Sequence, residues 1–197
     1  FWLNREPEYQ VRLLSEWVAD TRSRDPAVKK AALAALQAMD EQAVTHLAGS
    51  LNRDETVLER INRTIGDKIP RRFKQMASGL FDVQRTVDRK REAVHALIMM
   101  GTDAQEAVPA LGRLLRDPNV LLSSLAGTAL AEMGPAAVPE LISALDEGDY
   151  SLRANACSAL GKLRTNALPA APHLASILWT DTGPILGSAS YALSRVG

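Results

Sequence analysis

The chain has 197 residues, 23 of them Lys or Arg and 23 Asp or Glu, with 46% hydrophobic and 5% aromatic content. That hydrophobic fraction belongs to a globular domain with its own core and excludes intrinsic disorder, and the balanced charge gives no global pull toward nucleic acid or membrane. Cys157 is the one cysteine, which excludes an internal disulfide and leaves a structural zinc site without its usual ligands, while no apolar run approaches the roughly 20 residues that span a bilayer.

The sequence opens Phe1-Trp2-Leu3 and turns polar at Asn4-Arg5-Glu6. This reads either as the trimmed end of a signal peptide or membrane anchor lying upstream of Phe1, or as a mere starting point. The first reading places the chain in the cell envelope, the second in the cytoplasm. From Tyr9 to Arg22 the apolar residues Leu13, Leu14, Trp17 and Val18 share one side, and the spacing predicts an amphipathic helix. Residues 1–24 are thus expected to form an N-terminal helix that caps the rest of the chain.

At Asp25-Pro26 a capping carboxylate meets a proline suited to the first helical position. The segment AVKKAALAALQAMDEQAVTHLAGSL then gives two helices, through Ala35, Leu36 and Met39 and through Val44, Leu47 and Leu51, with Asp40 where a helix-ending glycine would be expected. Residues 25–52 form this first unit.

Residues 53–92 break the pattern. They hold 11 of the 23 basic residues against 7 of the 23 acidic ones. Val57, Leu58, Ile61 and Ile65 suggest a helix ended by Gly66, and Gln84 to Met100 a longer one. The segment reads as a basic helical insertion. Arg60, Arg63, Lys68, Arg71, Arg72 and Lys74 are its candidate anion-binding residues, with Phe73 and Phe81 nearby for stacking; a solvated helical hairpin explains the same residues.

From Arg91 the sequence repeats itself. An Ala-Leu pair recurs at Ala96-Leu97, Ala129-Leu130, Ala159-Leu160 and Ala192-Leu193, and the Leu positions are 33, 30 and 33 residues apart. Gly101, Gly134, Arg164 and Gly197 end the same helix in step. From Gly101 to Pro109 and from Arg164 to Pro172 is eight residues, but from Gly134 to Pro139 only five, so the turn absorbs the difference and the helices keep register. Each unit reads as helix, tight turn, helix. In the first helix Ala126, Ala129, Leu130 and Met133 form one stripe, and in the second Val138, Leu141, Ile142 and Leu145 do. Asp117-Pro118 offers a cap for the next unit, and Gly183-Pro184 a similar break. A single pair of helices cannot bury both stripes, so neighbours must stack. Residues 91–197 are regular repeats, the last incomplete, and its final helix is expected to expose an apolar stripe.

The recurring AxxALxxMG-xxAVPxLxxxL pattern over residues 25–52 and 91–197 resembles HEAT repeats, in the variety related to phycobilisome-lyase subunits. The opening EPEYQVRLLSEWV resembles the start of HEAT-repeat proteins of environmental bacteria, often preceded by a membrane segment. The resemblance implies an all-α fold, a right-handed α-α superhelix (a HEAT-like solenoid) with a helical insertion. It also implies a scaffold or protein-binding role. Some relatives are lyases or DNA-repair enzymes, so the fold alone leaves a lyase-like activity or a lyase subunit open.

The residues themselves show no catalytic constellation. His46, His95 and His173 sit in different helices without HExxH or His-Glu pairs, and no phosphate loop, GxSxG elbow or Cys-His pair is present. No cofactor is implied. Cys157, between Ala156 and Ser158, reads as a buried packing residue. The resemblance puts the second helices on the concave face. Aligning on Pro109, Pro139 and Pro172 then stacks Ala110, Glu140 and His173, next Arg113, Ser143 and Ser176, and finally Arg116, Asp146 and Trp179. Of these, Arg113, Arg116, Glu140, Ser143, Asp146, His173, Ser176 and Trp179 are the candidate partner-binding residues. Trp179 serves there as an interface anchor or covers the end of its own repeat. The expected function is a non-catalytic protein-binding or scaffolding module, with nucleic-acid or anionic-surface binding through residues 60–74 as the alternative.

Overall fold

The computed structural model describes residues 6–52, 83–147 and 149–197. After a short hairpin of β1 (Glu8–Tyr9) and β2 (Arg12–Leu13), the described residues are mainly helical: α1 (Leu14–Asp20), α2 (Pro26–Leu51), α3 (Val83–Met100), α4 (Val108–Leu115), α5 (Val120–Glu132), α6 (Val138–Leu145), α7 (Tyr150–Leu163), α8 (Ala171–Thr180) and α9 (Ile185–Val196). The all-α repeat fold expected from the sequence is what forms.

The N-terminal segment departs from the single helix expected over Tyr9–Arg22. Glu8 pairs with Leu13 and Tyr9 with Arg12 across a turn in which Gln10 and Val11 take φ of 49° and 64°, and the helix starts at Leu14. The reason lies in Trp17. Its indole Nε1–H donates to the Tyr9 carbonyl at 3.1 Å, and the Arg12 guanidinium lies 4.1 Å from its ring centroid. Leu14, Trp17 and Val18 are buried while Leu13 is exposed, so the apolar stripe is too short to carry the helix back to Tyr9. The Glu16 carboxylate accepts from the Leu13 N–H at 3.2 Å, and Glu6 accepts from the Ser15 N–H. Both satisfy donors at the helix start that have no partner within it.

Each repeat ends its first helix at the position the spacing marks. Gly101 and Gly134 have φ of 59° and 74°, and the two non-glycine equivalents, Asp40 and Arg164, adopt φ of 43° and 54° as well. At Asp40 the backbone ψ of −128° breaks α2 in two, where the sequence places the helix end. A 3-10 turn follows in the regular repeats, of 7 residues at Gly101–Ala107, 4 at Gly134–Ala137 and 7 at Arg164–Ala170. The three-residue difference in loop length read from the prolines is thus taken up inside this turn.

Caps begin the first helices. The Asp25 carboxylate accepts from Ala27 N–H at 2.8 Å and that of Asp149 from Leu152 N–H at 2.8 Å. In the intervening repeat the cap is Asn119, which accepts from the Leu121 and Leu122 amides, and not Asp117 as the Asp-Pro pair suggests. Asp117 instead accepts from the Asn119 N–H at 2.9 Å. Two residues of extra turn thereby precede Val120.

The core is built of repeated alanine and leucine. Leu97, Leu130 and Leu160 are all fully buried, as are Ala96, Ala129 and Ala159 to within 1%. Small residues let the first helices approach closely: a Cβ added to Gly161 would stand 3.3 Å from the Ala192 Cα, and one on Gly127 3.4 Å from the Asn155 carbonyl. In α9, Ile185, Ala189, Ala192 and Val196 are buried, whereas the exposed residues are Gly187, Ser190, Tyr191, Ser194 and Arg195. The last helix therefore presents a small polar face with one tyrosine, and the expected apolar stripe is largely absent because serine and glycine occupy those positions.

Candidate functional site

The second helices α4, α6 and α8 carry the candidate ladder, and side chains join its rungs. Arg113 Nε donates to Asn52 Oδ1 at 2.9 Å, tying α4 to the end of α2. Arg116 donates through Nη1 to Glu140 at 2.7 Å and to the Gly112 carbonyl at 2.6 Å, and through Nε to Glu147 at 2.8 Å. The hydrogen bonds to Glu147, foremost, and to Glu140 hold the Arg116 pKa above its ordinary value against the opposing cost of burial. Asp146 and His173 face each other across α6 and α8 at 3.8 Å.

Five of the eight candidate residues, Arg113, Arg116, Glu140, Asp146 and His173, are therefore engaged with a neighbouring repeat. Ser176 donates to the His173 carbonyl at 2.7 Å within its own helix, and Ser143 is exposed. Trp179 is 88% exposed, so it does not cover its own repeat. A side chain of that size left in water is the feature of the ladder that nothing in the packing explains.

A second set of bridges lies at the edge where first helices begin and second helices end. Lys90 on α3 approaches Asp117 at 3.6 Å. Arg153 on α7 donates to both oxygens of Asp181 at 2.9 and 2.6 Å. Arg153 holds the Asp181 carboxyl below the usual carboxylate range, chiefly through these hydrogen bonds and then through its charge. Lys90 and Arg153 occupy the same repeat position, as their distances of seven from Leu97 and Leu160 show. Asn52, Glu147, Arg153 and Asp181 were not singled out by sequence reasoning; the common register of the two basic residues was the available signal.

The histidines stay apart. Burial, then Arg22 and Arg91, hold the His95 imidazole below its ordinary pKa. His46 lines an open groove of about 400 Å³ among α1, α2 and α3, with Glu6, Ser15, Ser50, Arg89 and Glu92 as its other polar residues. Cys157 is fully buried, and burial pushes its thiol up to about 11. Among the described residues no group of three or more His, Cys, Asp or Glu is placed to hold a metal ion, and no helix is long and apolar enough to cross a membrane. The anion-binding candidates Arg60, Arg63, Lys68, Arg71, Arg72 and Lys74 lie outside the described residues.

Stacked two-helix units with alanine-leucine cores and short 3-10 turns define an α-solenoid. Residues 108–194 match the family model for HEAT repeats. That part of the chain is built of HEAT repeats. Such repeats generally mediate protein–protein interaction or scaffolding. No curated protein matches the sequence. Among solved structures, a crystal structure of an engineered protein, a Northeast Structural Genomics Consortium target, aligns at 18% identity over 93% of this chain and 96% of its own, with a TM-score of 0.36.

Proposed function

We propose that the chain is a non-catalytic protein-binding module that uses the second-helix face. The exposure of Trp179, at 88% on a helix whose Leu174 and Ile177 are buried, carries the reading. Aromatic anchors on a preorganised frame contribute a large share of interface energy, because little entropy is lost in ordering them. The bridges of Arg113, Arg116 and Asp146 to adjacent repeats supply that frame, with Ser143, Ser176 and Trp179 as the contact residues.

The test is capture from the native source with wild-type bait and with Trp179→Ala, read by mass spectrometry. A partner retained by the wild type and lost by Trp179→Ala, with the melting temperature unchanged, is expected. A partner captured equally by both would remove Trp179 from the interface.

A second reading follows from helix spacing. The first helices meet closely at Gly127 and Gly161 and pack on one another more extensively than the second helices do, and a two-layer stack bends toward its closer-packed layer. This supports an inner surface made by the first helices, where Leu121, Tyr150 and Tyr191 are exposed by 48%, 50% and 61%. Loss of the same partner with Tyr191→Ala, but not with Trp179→Ala, would favour this face.

A further inference from the structure

The turns that join first to second helices line up along one edge of the stack. From the first unit to the second, Gln37 Nε2 donates to Asp103 Oδ2 at 3.2 Å. The turn Gly101–Ala107 touches Gly134–Ala137, that turn touches Arg164–Ala170, and α9 packs against the last of them. Charge is sorted along this edge. Asp40, Glu41, Asp103, Glu106 and Glu132 come first, and Lys162, Arg164 and Arg195 follow. All are exposed, and none has an ion-pair partner among the described residues. No base stands in residues 37–42 or 99–107, and no acid in 162–170 or 193–197.

Two of these charges sit on backbone that glycine would adopt more cheaply. Asp40 and Arg164 hold φ of 43° and 54° at the repeat position that Gly101 and Gly134 fill in the units between them. Strain retained in this way points to side chains kept for contact, since packing does not need them. One is an acid toward one end of the edge and the other a base toward the opposite end. Between them the edge is small and uncharged. Gly134–Ala137 is the shortest of the turns, with Pro135 and Ala136 exposed, and the neighbouring turn carries Leu168, 59% exposed.

We propose that a second copy of this chain docks on this edge, antiparallel, with the two-fold axis at the turn Gly134–Ala137. That operation sets unlike charges opposite one another. Asp103 and Glu106 face the other copy's Lys162 and Arg164, and Asp40 and Glu41 face its Arg195. Each contact is made twice, as a self-complementary interface requires. Pro135, Ala136 and Leu168 lie toward the axis, where pairing takes their apolar surface out of water. Glu132 meets its own copy there, the one like-charge contact of the arrangement. Parallel pairing would put acid on acid and base on base, so charge selects the antiparallel register. The edge is separate from the second-helix face, and the inference does not depend on the protein-binding reading.

Sedimentation velocity of the full chain over a concentration series, at low and high salt, tests the pairing. Association that stops at the dimer is expected at low salt, and it should weaken at least about tenfold at high salt. Asp103→Lys/Glu106→Lys and Lys162→Glu/Arg164→Glu should each be monomeric alone, because each sets like charges across the axis. Mixed in equal amounts, the two should form a dimer as stable as that of the wild type. The reversed acids of one then face the reversed bases of the other, and the untouched halves match as before. Trp179→Ala should dimerise like the wild type, so failure here leaves partner capture through Trp179 standing. A wild type that stays monomeric, assemblies that grow past the dimer, or reversed variants that stay monomeric when mixed overturn the proposal. Should Lys162→Glu/Arg164→Glu fail to fold by circular dichroism, Arg195→Glu mixed with Glu41→Lys decides in its place: dimerisation restored on mixing supports the pairing and its absence overturns it.

Discussion

Arg153 and Asp181 are joined through two parallel hydrogen bonds of 2.9 and 2.6 Å, which fasten the first turn of α7 to the end of α8. A bidentate pair fixes direction as well as distance. The two helices of that unit are thereby held antiparallel at the edge remote from their 3-10 turn.

The pair has a pH signature. The Asp181 pKa is lowered in the folded chain, relative to an unfolded value of about 3.9. A depressed carboxyl contributes stability above the unfolded pKa and loses it as pH falls through the folded value. The melting temperature of Asp181→Asn should therefore lie below that of the wild type from neutral pH down to about 4. Below that the difference should shrink, as thermal melts at stepped pH would show. A constant difference across the range would mean that the carboxylate charge is not what matters.

Two strained residues offer a gain in stability. Arg164 has φ 54° and ψ −132°, and Asp40 φ 43° and ψ −128°. Both stand where the other repeats have Gly101 and Gly134. Side chains in this region cost on the order of 1–3 kcal/mol, against less than about 1 kcal/mol of unfolded-chain entropy added by glycine. Arg164→Gly and Asp40→Gly should each raise the melting temperature by roughly 2–4 °C. Gly134→Ala should lower it, although its Cβ would meet only the Thr102 methyl at 3.4 Å. Equal stability in all three variants would show that the backbone relaxes at these positions.

Those same two residues show how far the sequence carries. A fixed spacing marks the helix end even when the glycine is gone, because register belongs to the whole repeat and not to one residue. The N-terminal hairpin escaped for the opposite reason. Leu13, Leu14, Trp17 and Val18 fit a helical stripe, but the indole bond to the Tyr9 carbonyl is a tertiary contact that periodicity does not encode. The ladder was half legible: alignment placed Arg116, Glu140 and His173 on second helices, yet not that Arg116 spans to Glu140 and Glu147. How far a long side chain reaches into the next repeat depends on helix spacing, which no single unit contains.

Equivalent leucines should differ in cost by their place in the stack. Leu130 is fully buried, while Leu193 is half-buried against the core. Leu130→Ala should cost about 2–5 kcal/mol through lost burial and a residual cavity. Leu193→Ala should cost less than half as much, since part of its surface already meets water. Urea unfolding of both variants checks the ratio. Equal losses would imply that the last repeat unfolds separately from the one before it.

Cys157 provides an internal clock for opening of α7. It is fully buried, and its thiol is pushed from 9.0 up to about 11, chiefly by burial and against the nearby charge of Arg153. The thiolate is the reactive form. At pH 8 a group at about 11 is ionised to roughly one part in a thousand, against about one in ten at 9. Labelling by a soluble disulfide reagent should therefore be slow in the native chain and fast in denaturant. Its rate should track the opening free energy of the helix when reclosing outpaces labelling. Arg153→Ala removes the clasp that holds the first turn of α7, so it should accelerate labelling even though it also removes the charge that favours the thiolate. Slower labelling in that variant would show that Arg153 governs Cys157 through its field rather than through the packing of the helix.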